Sequence, residues 1–257
     1  MKLSQRFWDA SQSIISTTEK HPFLTSMVDG TLSQDKFIYY VLQDALYLTD
    51  FSDCLYRLSK KAPNPIHEKR LAELAKGAEE DEKELHRSFF QKWKIDDENV
   101  EAMPNTVLYT SYMMRVIATR PYAEGLAVLL PCFWVYMHVG KEMLKLREEL
   151  GDSVDRIPQF DAWIDLYASE EFEKEVKDYI AMVDEIKVTV KEDKAISVDD
   201  TTTHTSDDDH DHDYDYAKEY QSEDHMIKKM EEHFIMCCKL EHMFWDQAEI
   251  LMKWPHL

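Results

Sequence analysis

Apolar residues recur at helical spacing along most of this chain, in segments separated by proline, glycine and a long polar stretch. The first segment predicts a helix from residue 3 to about 20, stopping near His21-Pro22-Phe23, where proline restricts the residue before it. Gly30 then marks a turn, and Ser33 is placed to cap a second helix running to about Lys60. Within that helix Tyr40, Asp44, Tyr47 and Phe51 share one face. The Pro63-Asn64-Pro65 break opens a third helix, charged through Glu84 and ending in the apolar cluster Phe89, Phe90 and Trp93. Pro104 opens a fourth, carrying Tyr109 and Met113. A fifth covers residues 121 to 147, with Pro121 in its first turn and a left-handed cap expected near Gly151. Pro158 starts a short segment with Trp163 and Tyr167, residues 170 to 187 form an amphipathic helix, and a last helix spans about 224 to 253.

Between the last two helices the pattern collapses. Residues 188 to about 222 carry repeated Asp, Thr and His without apolar periodicity, which reads as a disordered acidic insertion. The expectation is an all-α, single-domain bundle of seven or so helices covering residues 1–257, interrupted by that insertion. Glycine usage agrees. Five glycines in 257 residues are too few for a chain of tight hairpins, and no GxGxxG or GxxxxGK phosphate-cradling loop occurs.

Charge narrows the partners. The net charge is −21, from 51 acidic and 30 basic side chains, which argues against binding to nucleic acid or an anionic membrane. About half of the deficit lies between Glu192 and Asp224, where 13 acids face 2 lysines. No segment is read as reaching the apolar length of a membrane span. The four cysteines (54, 132, 237, 238) form no CxxC pair, and Met1 to Arg6 lack the apolar core of a signal peptide, so a reducing, cytoplasmic setting is expected.

The candidate chemistry starts with Leu129-Leu130-Pro131-Cys132-Phe133-Trp134-Val135-Tyr136, an apolar run holding one thiol with a phenol four residues later on the same helix face. Pro131 removes a backbone hydrogen bond and is expected to kink the helix, aiming Cys132 out of the packed layer. A free cysteine in such a run is ordinarily a small buried hydrophobe, and tyrosines at helical spacing are ordinarily core residues. Asp44 stands among Tyr40, Val41, Leu42, Leu46 and Leu48, where a carboxylate needs a ligand or an internal network. Glu241 shares a face with Cys237 and Trp245, which turns it inward. Cys54, Cys237 and Cys238 read as structural thiols. The tract Asp207 to Asp213 could hold a divalent ion loosely, yet such runs are solvated spacers, and no metal is expected.

In order and spacing, these pieces resemble the thiaminase II (TenA) family. The residues that carry the likeness are His21-Pro22-Phe23, Asp29-Gly30-Thr31-Leu32, Gln43-Asp44-Ala45-Leu46-Tyr47-Leu48, Leu85-His86, Tyr109-Thr110-Ser111, Leu129 through Tyr136, Trp163 with Tyr167, and Glu241 with Phe244-Trp245. The resemblance implies a haem-oxygenase-like helical fold and the branch of the family that keeps its cysteine. It implies Cys132 as nucleophile, Glu241 as acid/base carboxylate, and Asp44 as the group that fixes an aminopyrimidine ring. Tyr47, Tyr109, Tyr136 and Tyr167 take the remaining pocket positions. The implied reaction is hydrolysis of 4-amino-5-aminomethyl-2-methylpyrimidine, and of thiamin as a further substrate, to the hydroxymethylpyrimidine in thiamin salvage. No cofactor is implied, and the implied assembly is a homo-oligomer, a tetramer.

Rival readings are distinguishable. A di-iron bundle uses Glu-x-x-His pairs, and no glutamate lies three residues before any of the eleven histidines. A haem site would have His21 as its only early axial candidate and lacks a glycine-rich distal helix. The remaining alternative is a non-catalytic thiamin- or aminopyrimidine-binding or interaction protein, for which neither Cys132 nor Glu241 is needed.

Overall fold

Among the described residues, four of the nine α-helices begin on a proline, whose fixed φ and missing N–H fit a first helical turn. The computed structural model describes residues 1–95, 99–186 and 223–255, apart from the side chains at 79–88, 91 and 152. In chain order the helices are α1 (Leu3–Thr18), α2 (Pro22–Val28), α3 (Gln34–Ser59), α4 (Pro65–Trp93), α5 (Pro104–Thr119), α6 (Tyr122–Leu150), α7 (Pro158–Ala168), α8 (Glu170–Asp184) and α9 (Glu223–Glu249). The described residues contain no strand. The fold is therefore the all-α bundle expected. The acidic stretch at about 188–222 and the side chain of His86 lie outside the described residues.

Where the helices differ from expectation, local chemistry explains it. Pro22 does not only stop α1; it is the first residue of α2, because His21 sits at the N-cap and its Nδ1 accepts the Phe23 N–H at 3.1 Å. Ser33 occupies the N-cap of α3 as expected, but its side chain makes no capping bond. Gly151 has φ 65° with ψ −165°, a positive φ that favours glycine but not the left-handed cap foreseen. Pro121 stands at the N-cap of α6 rather than in its first turn, and α6 runs on through Pro131. Pro131 leaves the Ala127 carbonyl without its helical donor, and in the same turn the Tyr179 hydroxyl donates to the Leu126 carbonyl at 3.2 Å.

The core lies between α3, α5, α6 and α9, with α1, α4, α7 and α8 packed around them. Helices α6 and α9 run parallel: Glu124 in the first turn of α6 meets His233, about three turns into α9 (Oε2 to Nε2, 2.8 Å), and three turns later Tyr136 meets Trp245 (centroids 5.2 Å). Both pairs have the same sequence offset. Cys132 and Glu241 share that offset and fall between them, at one level of the bundle.

Helix α6 corrects one expectation. At 29 residues it is long and apolar enough, by length and composition, to cross a membrane; 83% of its most apolar window is instead buried inside the protein, as in a core helix. Close approach of α7 depends on Gly140, where a Cβ would lie 2.7 Å from the backbone carbon of Tyr167.

Candidate active site

Helix α3 presents Asp44, Tyr47, Leu48 and Phe51 from one face, at i, i+3, i+4 and i+7; Asp44, Tyr47 and Phe51 belong to the face read in the sequence with Tyr40. Opposite them stand Cys132, Phe133 and Tyr136 of α6, with Tyr167 of α7 and Phe172 of α8 closing the side. Together they line a cavity of about 160 Å³, similar to the roughly 150 Å³ that accommodates benzene in an engineered protein cavity. One flat six-membered ring fits this space. Cys132 is the only one of the four thiols that is not fully buried. Burial pushes the Cys54 thiol up to about 12 and raises Cys237 and Cys238 as well, so these three stay protonated packing groups.

The aromatic wall is held from behind. The Trp163 indole N–H donates to the Tyr40 hydroxyl (3.2 Å), which donates to the Tyr136 hydroxyl (3.3 Å). Tyr136 packs against Tyr167 at a centroid distance of 4.8 Å, and Tyr167 meets Phe172 edge-on at 5.3 Å. Tyr47 lies within hydrogen-bonding reach of Cys132 and stacks on Phe51 at 5.7 Å. Burial raises the Tyr47 and Tyr136 phenols well above their ordinary value, leaving them neutral at physiological pH.

Asp44 is buried at 2% exposure. Its neighbour Gln43 clamps that turn of α3: Oε1 accepts the Met103 N–H and the Thr106 hydroxyl, both at 2.8 Å, and Nε2 donates to the Glu101 carbonyl at 2.9 Å. The network continues through Thr106 to Gln247 of α9 (2.9 Å), so the turn carrying Asp44 is tied to the helix carrying Glu241.

Tyr109 and Glu241 form a layer behind the cavity. Tyr109 is fully buried, packs on Tyr47 at 4.9 Å, and donates to Glu241 Oε1 at 2.7 Å. Burial pushes Glu241 up to about 8; the Tyr109 hydrogen bond opposes the rise and the charge of Asp44 adds to it. A carboxyl poised there can deliver and recover a proton near neutrality.

Of the residues singled out in sequence, Cys132, Asp44, Tyr47, Tyr136 and Tyr167 line one cavity, whereas Tyr109 and Glu241 are not among its lining residues: Tyr109 packs on Tyr47 and donates to Glu241. Phe133, Ser169 and Phe172 were not singled out. The last two carried a signal, since Ser169 caps α8 by accepting the Phe172 N–H (3.1 Å) and is followed by Glu170, Glu171 and Glu173, a helix-start signature. Among the described residues the lining contains no histidine. His21, the one haem candidate, is the N-cap of α2 and pairs through Nε2 with Asp246 (3.1 Å).

A family model described as TENA/THI-4/PQQC family matches residues 8–207. The aminopyrimidine aminohydrolase of Bacillus subtilis is 33% identical over 251 residues, which is 96% of this chain and 90% of that protein. An aminopyrimidine aminohydrolase of Halalkalibacterium halodurans is 29% identical over 261 residues, covering 100% and 99% of the two chains. Among solved structures, a TenA homologue from P. horikoshii OT3 superposes with a TM-score of 0.74 at 23% identity, over 96% of this chain and 98% of that one.

Proposed function

Since the chain belongs to the TENA/THI-4/PQQC family, we propose that it is an aminopyrimidine aminohydrolase acting in thiamin salvage, with Cys132 as nucleophile. It is a hydrolase, as its relatives of nearly the same length are named. The observation that carries the reading is the convergence on one ring-sized cavity of the most accessible thiol, a buried carboxylate and a tyrosine wall, with a protonated carboxyl behind it.

Each group has a task. Asp44 accepts hydrogen bonds from the exocyclic amine of a 4-amino-2-methylpyrimidine, and Tyr136 and Tyr167 pack on the ring. The Cys132 thiolate adds to C6, forming a C–S bond and pushing electrons into the ring, whose nitrogen takes a proton. The enriched ring expels the amine from its 5-methylene, with Glu241 supplying the proton that makes it ammonia. Water then adds to the methylene, its proton returns to the carboxylate, the thiolate leaves C6, and the ring nitrogen gives up the proton it took. The net change is water in, ammonia out and a hydroxymethylpyrimidine formed. Thiamin fits the same scheme, with the thiazole as leaving group. The homo-oligomeric, tetrameric assembly rests on the family resemblance, and the cytoplasmic location on four cysteines without a paired framework.

The test is release of ammonia and hydroxymethylpyrimidine from 4-amino-5-aminomethyl-2-methylpyrimidine, with thiamin assayed in parallel. Turnover by the wild-type protein and its loss in Cys132→Ser is the expected result; a folded wild-type protein that turns over neither compound overturns the reading in favour of a binding role.

A further inference from the structure

Four hydrogen bonds linking α1, α2 and α9 assign a tautomer to each of two histidines. Thr18 Oγ1 donates its only proton to the Ile14 carbonyl at 3.0 Å, so at 3.0 Å from His242 Nδ1 it can only accept. His242 therefore carries its proton on Nδ1, and the lone pair is on Nε2. His21 is the reverse. Its Nδ1 accepts the Phe23 N–H, so its proton is on Nε2 and is donated to Asp246 Oδ1 at 3.1 Å.

This leaves the His242 Nε2 lone pair facing Asp246 Oδ2 across 3.8 Å, one helical turn apart on α9. The separation is too long for a hydrogen bond. Two coordinate bonds of about 2.0–2.2 Å each, the lengths of Zn–N and Zn–O contacts, span it. Both groups line an open cleft between the end of α1 and α9, together with His21 and Lys20, leaving room for water as the remaining ligands.

We propose that His242 Nε2 and Asp246 Oδ2 bind a divalent transition-metal ion, with Thr18 and His21 as the residues that orient the two ligands. His21 is not itself a ligand, although its Nε2 lies in the same cluster: coordination would require its proton and the capping bond to Phe23. An imidazole with a carboxylate suits Ni²⁺, Cu²⁺ or Zn²⁺, with affinity peaking at Cu²⁺. The sequence reading expected no metal because it looked to the acidic tract; the tertiary pairing of α1 and α2 with α9 creates a different site.

The experiment is calorimetric titration of Ni²⁺ into the full chain carrying His204, His210 and His212→Ala, which removes the competing imidazoles of the tract. One equivalent is expected to bind, and to be lost on adding His242→Ala or Asp246→Asn, with circular dichroism confirming that each variant stays folded. Thr18→Val, which removes the acceptor for Nδ1–H, is expected to weaken binding about 10-fold or more, the usual effect of losing an orienting partner. The proposal is overturned if the tract variant binds no nickel, or if binding survives His242→Ala and Asp246→Asn unchanged.

Discussion

The Tyr109 hydroxyl donates to Glu241 Oε1 at 2.7 Å between residues 132 positions apart, and both side chains are buried. That bond favours the ionised carboxylate, so it restrains the rise that burial imposes on Glu241. Removing it with Tyr109→Phe raises the Glu241 pKa further. The expected result is a lower rate with an alkaline limb displaced above the wild-type value near 8. The kcat profile between pH 6 and 10 reads it.

Asp44 acts on the same carboxyl with the opposite sign, because its charge opposes ionisation of Glu241. Asp44→Asn removes that charge, so the alkaline limb moves to lower pH. The variant also loses a charged hydrogen bond to the ring amine, worth roughly 1.5–3 kcal/mol, so KM is expected to rise about 10- to 100-fold. Opposite displacements in the two variants, measured on one substrate, identify Glu241 as the titrating group.

Glu241 also makes the fold pH-sensitive. Its folded pKa, about 8, lies above the 4.5 of an exposed glutamate, so the folded state holds a proton that the unfolded state releases. This contribution to stability is complete below pH 4.5 and is lost as pH rises through 8. Glu241→Gln, which cannot ionise, is expected to lose less stability between pH 6 and 9 than the wild type in urea unfolding, while losing turnover.

Cys132→Ser replaces sulfur by a poorer nucleophile in a side chain of nearly the same size. Turnover is expected to fall by on the order of 10³-fold or more, with the melting temperature changed little. A covalent adduct that accumulates on rapid mixing with substrate, detected by intact-mass spectrometry in the wild type and absent from the serine variant, is the direct readout.

Gly140 lets α7 approach α6. In Gly140→Ala the new methyl meets the Tyr167 backbone at 2.7 Å, pushing Tyr167 from the cavity wall. The expected cost is about 1–3 kcal/mol of stability, measured by denaturant unfolding, with KM raised more than kcat is lowered.

Much of this protein is local and was readable locally. Prolines at 65, 104 and 158 mark helix starts because their constraint acts within one turn, and the shared face of Tyr40, Asp44, Tyr47 and Phe51 follows from helical periodicity alone. Helix α2 was missed for a related reason: a proline that ends one helix can begin the next, and the deciding hydrogen bond comes from the His21 ring.

What sequence by itself determined is every described helix but α2, the thiol and carboxylates that face inward, and the likeness in motif order that points to aminopyrimidine chemistry. Those properties depend on residues a few positions apart. Only the tertiary structure decided that Tyr109 holds Glu241 behind the cavity instead of lining it, that Phe172 and Phe133 complete the wall, and that His21 and His242 converge on Asp246. Such pairings join helices distant in the chain. Desolvation, which sets the protonation of Glu241, exists only once the bundle has closed around it.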